Sequence, residues 1–400
     1  MAFNATATLA YYDDFGVYNS ISITAKVISS NITRGKSRQL DYYEPGSVYI
    51  VLNNFDRSFD PTNDASDFQP FVYPKTIVNI TTGSYSIFSG LIDDWSFSYD
   101  VNGESYAMFS ATESTGILAN QYMAAQTFPA ELSGARVNRV LNDPGVAWST
   151  GYGDRAIDPG TQLLEAETIA NNTNALDYLR QIAVSEQGAL FFNSNSYGIE
   201  FLDNNNSINS STGYELFADD GTINYTFGTA GKPSINYEYV DVSYSSQLLY
   251  NIVVVNSFDN VNYVVATSPS SIEAYSTNQL IVDDVLYSTT SRLSNLANLL
   301  IRKYSAPEYR IDSIKINFYA LSSTVQDDLA QLQLNDFAKV RFKPNGIGDT
   351  IERSVQIIGI NHEINPGSHY LILQFDSIRV PYLVLDDTEF GKLDTYSLGL

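Results

Sequence analysis

The chain has 400 residues, and its 22 Lys and Arg against 45 Asp and Glu give a formal net charge of −23. It has no Cys, which excludes disulfide scaffolds, thiol nucleophiles, iron–sulfur clusters and zinc–cysteine sites. The acidic charge argues against nucleic-acid binding by phosphate neutralisation, which requires clustered Lys and Arg. The length exceeds the size at which a single core keeps growing, so about two to four domains are expected.

The N-terminus and the apolar runs predict no membrane-directed segment. Residues 1–6 lack a basic region followed by an apolar run, so no signal peptide is expected. No run of about 18 apolar residues occurs, which predicts no stable membrane insertion by the chain itself. The acidic charge suits a soluble protein that does not associate non-specifically.

Alternation of apolar and polar residues is the dominant pattern along the chain, and it predicts half-buried strands. It occurs at residues 48–52, 95–101, 314–318 and 338–342, all rich in the residues that fit a pleated surface. Asn102-Gly103 lies between two alternating runs and predicts a hairpin. The chain is therefore predicted to be mainly β, with a minor α+β portion.

Three stretches place apolar residues on one face of a helix, at residues 132–142, 174–187 and 289–304. Asn residues within 172–174 are candidate N-caps for the second helix, and Gly188 is its expected stop. We interpret all three as scaffold helices packed on sheets.

The pattern divides the chain into four parts. Residues 1–115 are predicted to be all-β, 116–235 to be a mixed module with two helices and a hairpin near 189–202, and 236–385 to be β with one embedded helix. Residues 386–400 are expected to form an exposed tail. The Asn- and Ser-rich residues 203–212, inside the mixed module, are expected to form a surface loop.

The two histidines, His362 and His369, suggest a zinc-protease motif. In that motif the second His follows the first by four residues on one face of a helix. Here the spacing is seven, Pro366-Gly367 intervenes, and the flanking residues 355–360 and 370–375 read as strands. We therefore expect the two histidines to flank a hairpin turn, with His362 hydrogen-bonded near its end, and predict no metal site.

Gly35-Lys36-Ser37 resembles the end of a phosphate-binding loop, but position 30 is Ser30, where that motif needs Gly. The backbone nest that holds a phosphate depends on both glycines. No nucleotide and no other cofactor is therefore predicted.

Acidic pairs recur along the chain, and a glycosidase needs two carboxylates that face each other across a cleft. Most of these pairs lie beside turn residues, where Asp serves turns and solubility, so no catalytic residue is predicted. Asp203, Asn205 and Ser207 have the alternate spacing of a calcium loop, but Ile208 stands where that loop needs Gly, and calcium binding is left open. The pairs are Asp13-Asp14, Asp93-Asp94, Asp219-Asp220, Asp283-Asp284, Asp327-Asp328 and Asp386-Asp387.

Residues 31–61 carry a motif: a turn at Arg34-Gly35-Lys36, the pair Leu40-Asp41, a Pro45-Gly46 turn that opens a strand, and a segment from Asn54 to Pro61 rich in Asn, Asp and Phe. This motif resembles the N-terminal motif of minor tail proteins of long-tailed bacteriophages, the baseplate or tail hub family.

Further segments add to this resemblance and extend it over most of the chain. Residues 88–95 look like the Gly-x-Ile-x-x-Trp strand of the family, and residues 174–201 look like its helix–hairpin module. Residues 358–362 and 385–394 resemble its closing segments. The chain is poor in Lys, and neither an appended enzymatic domain nor enzymatic activity is expected.

The resemblance implies two tail-tube-like β-barrels, residues 1–115 and 236–385, flanking the mixed helix–hairpin module. The resemblance also implies a homotrimer that adapts a six-fold tail tube to a three-fold tip. The implied location is the virion at the tail tip, with host cytoplasm during assembly. The implied partners are a distal tail or tail tube protein, the tape-measure protein, and tail fibre or tip proteins, while genome DNA passes without specific binding. An acidic channel wall would repel that DNA.

Two other interpretations compete with a structural hub. The 29 Tyr suggest a carbohydrate- or receptor-binding β protein, although alternating Tyr ordinarily fills β cores and strand faces. A glycan hydrolase built on an acidic pair ranks lowest, because the pairs have turn-like contexts.

Overall fold

The computed structural model describes residues 4–38, 40–101, 103–148, 153–209, 225–228 and 235–377. Within these ranges the protein is mainly β with a few helices, as the alternating pattern predicted. The predicted Asp219-Asp220 pair, the segment 385–394 and the tail 386–400 lie outside the described residues.

The first seven strands form an antiparallel array in the order β2-β1-β5-β6-β7-β4-β3. The inward residues of the alternating runs, such as Ile50 and Phe109, build its core with Leu9 and Phe59. Tyr99 pairs with Ser105, so the predicted hairpin joins the last two strands, although Asn102 itself lies outside the described residues. The strands are β1 (Thr6–Tyr12), β2 (Tyr18–Ser22), β3 (Val27–Gly35), β4 (Glu44–Asn53), β5 (Ile77–Thr82), β6 (Tyr85–Tyr99) and β7 (Ser105–Glu113).

The middle of the chain packs helices on short strands around a separate core. The second predicted helix begins as expected, since the Asn174 side chain accepts a hydrogen bond from Asp177 N at 3.1 Å, but its left-handed cap is Gln187 and not Gly188. The elements are β8 (Tyr122–Met123), β9 (Gln126–Phe128), β10 (Glu131–Leu132), α1 (Ser133–Leu141), β11 (Asp154–Ile157), β12 (Leu163–Leu164), β13 (Glu167–Ile169), β14 (Thr173–Asn174), α2 (Ala175–Glu186), β15 (Ala189–Asn193), β16 (Gly198–Leu202) and α3 (Asn204–Asn209).

The described residues from 225 onward contain the remaining strands and three helices, of which the sequence predicted only the long one. The other two span eight residues or fewer, too few positions to show a helical period. The elements are β17 (Tyr225–Gly228), β18 (Ile235–Asn236), β19 (Tyr239–Tyr244), β20 (Ile252–Ser257), β21 (Tyr263–Thr267), α4 (Pro269–Tyr275), β22 (Gln279–Val285), α5 (Thr290–Tyr304), β23 (Tyr309–Asn317), α6 (Ser323–Ala330), β24 (Phe337–Phe342), β25 (Ile351–Asn365) and β26 (Ser368–Ser377).

Strand β25 joins the N-terminal array to a second one. Its first half pairs with β24, its second half pairs with β3, and β26 runs along its other edge and continues to β23 and β19. The result is a single 14-stranded sheet with two cores. Among the described strands this pairing does not close into a barrel, so the tube-like barrels stay a prediction.

An α/β unit is inserted between the neighbouring strands β19 and β23. It consists of the three-stranded sheet β21-β20-β22, with α5 packed on one face over a core of its own. It also contacts the middle of the chain, because Glu165 N donates to Leu286 O at 3.0 Å and Leu286 N donates to Ser185 Oγ at 2.9 Å. No helix in the described part of the chain is long and apolar enough to cross a membrane.

Candidate functional site: a buried polar junction

A fully buried ion pair lies where the parts of the chain meet. Arg34 on β3 donates from Nε to Glu113 Oε1 on β7 at 2.7 Å, and both side chains are only 1% exposed. The second carboxylate oxygen of Glu113 accepts from Gly46 N on β4, also at 2.7 Å. Burial raises the pKa of Glu113 although Arg34 and Gly46 favour its charged form. Three neighbouring strands are thus tied to one carboxylate.

The same arginine reaches beyond the first array. Arg34 Nη2 donates to Phe192 O on β15 at 2.8 Å and to Gln333 Oε1, just after α6, at 3.2 Å. Ser194 extends the contact, since its Oγ donates to Ser86 O at 2.8 Å. The junction therefore connects the N-terminal array, the helix–hairpin module and the second array. A buried network of this kind holds the parts in one arrangement only while each partner is present.

The glycines of the sequence motif are explained by close approach at this junction. Gly35 has φ +100°, and a Cβ there would lie 2.2 Å from Ile358 O. A Cβ on Gly46 would lie 2.6 Å from the Glu113 carboxyl carbon. The motif Arg34-Gly35 and Pro45-Gly46 therefore lies at the point where strands β3, β4, β7 and β25 converge.

Lys36, the lysine of the Gly35-Lys36-Ser37 tripeptide, is half-buried beside a second charged cluster. Its Nζ lies 4.8 Å from the ring centroid of Tyr43, and burial lowers its pKa to about 8. Lys303 Nζ lies 3.2 Å from Asp376 Oδ2; burial lowers the pKa of Lys303, but the carboxylate raises it overall. A cavity of about 300 Å³ adjoins this cluster and is lined in part by Ser37, Arg38, Asp41, Ser243, Arg310 and Asp312.

The two histidines lie on the hairpin of β25 and β26, as the strand pattern predicted. His362 Nδ1 is 2.9 Å from His369 Nε2, and Asn4 Nδ2 is 3.4 Å from His369 Nδ1. Burial lowers the pKa of His369 to about 4, and burial followed by the neighbouring His369 lowers the pKa of His362 well below its ordinary value. Both rings are therefore neutral in the folded protein at neutral pH.

We expect the buried histidines to make stability fall in weak acid. Below the unfolded pKa of about 6.5, the unfolded chain binds protons that folded His369 does not bind until the pH nears 4. Lowering the pH from about 7.5 to 5 should therefore cost about 2 kcal/mol of unfolding free energy from His369 alone. Urea unfolding of the wild type and of His369→Gln at the two pH values measures it, and equal acid losses in both proteins would contradict the assignment.

The acidic pairs within the described residues make contacts typical of turns and surfaces. Asp13 Oδ1 accepts from Phe15 N and Val17 N in its own turn, at 3.0 and 2.8 Å. Asp93 accepts from Lys75 and Thr112 across a strand pair. Among the described side chains no three His, Asp or Glu are placed to hold one metal ion.

The surface loop predicted at residues 203–212 is wrong for its described part. Asp203 is buried, and its Oδ1 accepts from Asn206 N at 3.0 Å at the start of helix α3. Asp158 Oδ2 holds the segment from the other side by accepting from Asp203 N at 3.0 Å. The Asp at the start of the Asn-rich run thus favours a capped helical turn, whereas residues 210–212 lie outside the described ranges.

Comparison with known proteins identifies the architecture. No family model matches the sequence, and no curated protein matches it. Among solved structures, the prophage MuSo2 43 kDa tail protein of Shewanella oneidensis superposes with a TM-score of 0.56 at 12% identity, over 93% of this chain and 98% of that chain. The tail protein of Neisseria meningitidis MC58 gives 0.59 at 10% identity, over 94% and 97%. Prophage tail protein gp18 of Listeria monocytogenes EGD-e gives 0.51 at 14% identity, over 94% and 95%.

The chain has the fold of phage tail proteins. The resemblance expected from the motif at residues 31–61 is therefore confirmed for the fold. The Francisella PdpA–VgrG complex, in its half-lidded form, is also similar, with a TM-score of 0.51 at 9% identity, over 94% of this chain and 58% of that chain. In this chain, the buried junction of Arg34 and Glu113 lies beside the place where the two arrays meet.

Exposed aromatic side chains of this tail-protein fold are spread over separate elements. The nearest to a cluster is the β1–β2 hairpin, where Tyr12 and Tyr18 have ring centroids 5.2 Å apart and Phe15 is exposed at the tip. Strand β2 also ends the 14-stranded sheet and so presents an edge. Tyr197 adds to this group, because burial, followed by Tyr12 and Tyr197, raises the pKa of Tyr18. The other exposed tyrosines are Tyr42, Tyr49, Tyr73, Tyr99, Tyr122, Tyr239, Tyr244, Tyr263, Tyr275 and Tyr319.

Sequence reasoning missed Glu113, although a signal was present. Strand β7 points Ala107, Phe109 and Ala111 inward, and Glu113 follows in the same phase. A charged residue at an apolar position of an alternating strand is unusual and indicates a buried partner. The identity of that partner, Arg34, depends on strand order, which the alternation does not contain.

Proposed function

We propose that this chain is a structural subunit of a phage tail: a homotrimeric hub at the tail tip that adapts a six-fold tube to a three-fold tip and forms the channel for genome exit. The proposal rests on the likeness of this fold to three tail proteins, two of them from prophages, because each comparison covers nearly all of both chains. The role is structural, and no side chain is assigned to catalysis.

The strand arrangement supports a subunit that assembles through its sheets. Two antiparallel arrays share the β25–β26 hairpin, so one chain carries two sheets in a defined relation. The free edge of β2 suits pairing with a neighbouring subunit, because an edge strand leaves backbone donors and acceptors unpaired. In this proposal residues 1–115 and 236–385 provide the two tube-like units and 116–235 the module between them, with residues 386–400 as a tail.

The net charge of −23 supports passage of DNA without retention. Acidic side chains on a channel wall repel a phosphate backbone, most strongly at low ionic strength. The proposed partners are a distal tail or tail tube protein above the ring, the tape-measure protein inside it, and tail fibre or tip proteins below. The proposed location is the virion tail tip, after assembly in the host cytoplasm.

We expect the purified protein to form a ring with three-fold symmetry. Light scattering on a size-exclusion peak should give three times the 44.3 kDa of one chain, and negative-stain images of that peak should show a central hole. If the protein alone is monomeric, both measurements are repeated after adding the proposed tail tube protein. A subunit that stays monomeric with the tube protein present, and does not bind it, would contradict the hub.

A further inference from the structure

The inserted α/β unit has an apolar face that the described chain leaves open. Its sheet packs Val253, Val255 and Ala266 against α5. On the opposite face Val265 pairs with Val254 across the strands, and Val254 pairs with Ile281. Val265 is 48% exposed and Ile281 is 53% exposed.

Two neighbours enlarge this row into a continuous surface. Tyr263, which is 68% exposed, lies two residues before Val265 on β21, and half-buried Ile252 lies two residues before Val254 on β20. Residues two apart on a strand share a face, and directly paired residues are close enough to touch. We call Ile252, Val254, Tyr263, Val265 and Ile281 the open face.

The sequence of the central strand supports a covered open face. Strand β20 reads Ile252-Val253-Val254-Val255, a continuous apolar run. Such runs are typical of strands buried on both faces, whereas a strand with one wet face alternates. Among the described residues α5 covers one face only, so β20 has more apolar side chains than the described part of the chain buries.

The charge around the open face indicates the chemistry of the occupant. From residue 233 to residue 291 the sequence has six Asp and Glu and no Lys or Arg, and four of the six, at 259, 273, 283 and 284, belong to the inserted unit. Asp283 lies on the same face as Ile281 and accepts from Asn256 Nδ2 at 2.5 Å. The cationic side chains Arg292 and Arg302 belong to α5, behind the sheet. An apolar surface with an acidic border fits a partner that is apolar and basic.

We propose that the open face binds a polypeptide segment of another protein in which aliphatic residues alternate with Lys or Arg. A second copy of this chain fits poorly, because two copies would place like charges from residues 233–291 against each other. The inference does not depend on the hub proposal.

The absence of Cys allows a direct test on the full chain. A single Val265→Cys substitution carries an environment-sensitive fluorophore, and Val101→Cys, at a fully exposed valine of the β6–β7 turn, is the matched control. The probe is a short synthetic peptide of alternating Val and Lys, and the reference peptide has Glu in place of Lys. We expect the Val–Lys peptide alone to shift the emission at position 265, with no shift at position 101.

A second pair of variants measures the contribution of the apolar side chains. The double variant Val265→Thr/Ile281→Thr keeps β-branched residues and should weaken Val–Lys binding at least about tenfold, since most of the apolar area is lost. Val101→Thr should leave it unchanged, and raising salt from about 0.05 to about 0.5 M should weaken it. Equal binding of the Val–Glu peptide, or no signal at position 265, would overturn the proposal. Dimers of the chain that the double variant disrupts would instead assign the face to a second copy.

Discussion

Replacing Glu113 by glutamine is expected to destabilise the protein by about 3–5 kcal/mol, because it removes one partner of a buried ion pair and leaves the Arg34 charge uncompensated. The guanidinium of an arginine stays charged in proteins, so the substitution leaves a buried positive charge. The amide has a single acceptor oxygen, so its NH2 group would face either Arg34 Nε or Gly46 N, both of which now donate to the carboxylate. Urea unfolding of both proteins at pH 7.5 measures the difference.

The control for this prediction is a surface ion pair of the same type. Lys26 and Asp56 are 27% and 53% exposed, so Asp56→Asn should cost no more than about 1 kcal/mol. Similar losses for the two substitutions would contradict a buried, structural role of the junction. A double variant that replaces Arg34 by Met as well should be less destabilised than the two single losses combined, because no buried charge is then left alone.

Replacing Gly35 by alanine is expected to cost about 4 kcal/mol or more, and to reduce soluble protein sharply. The added Cβ would lie 2.2 Å from Ile358 O, a backbone atom that accepts a hydrogen bond from Lys36 N at 2.8 Å, so neither partner can move aside cheaply. The φ of +100° adds the ordinary cost of a side chain in that region. Thermal unfolding and expression yield measure the effect.

Gly348 separates the two causes of this loss. It also has a positive φ, +78°, but nothing lies within 4 Å of an added Cβ. Gly348→Ala should therefore cost only about 1–2 kcal/mol, from backbone conformation alone. A loss at Gly348 as large as that at Gly35 would show that close strand approach is not what the motif glycine provides.

The main elements of the fold could be predicted because their patterns are local. The helices expected at 132–142, 174–187 and 289–304 match Ser133–Leu141, Ala175–Glu186 and Thr290–Tyr304 within a residue or two. Those stretches are long enough to repeat their apolar period several times. The short helix at Asn204–Asn209 offered no such period, and its Asn-rich composition predicted a loop.

The candidate junction was only half visible in the sequence. The motif at residues 31–61 included Arg34, Gly35 and Gly46 through its resemblance to tail proteins, without predicting what they contact. Glu113, Phe192 and Gln333 come from distant parts of the chain, and their meeting depends on which strands pair. Pairing of β3 with both β4 and β25 brings them together.

The sequence by itself determined the mainly β class, the positions of the long helices, the acidic charge and the resemblance to tail proteins, because composition, period and turn residues are properties of neighbouring positions. Tertiary structure alone decided that one strand, β25, is shared by two arrays, and that a buried ion pair lies beside their crossing. It also decided that an inserted sheet has a covered face and an open one, although the strand β20 is apolar on both. These features arise from contacts between residues far apart in the chain. A local pattern indicates which side chains can be buried, but not which residues they pack against.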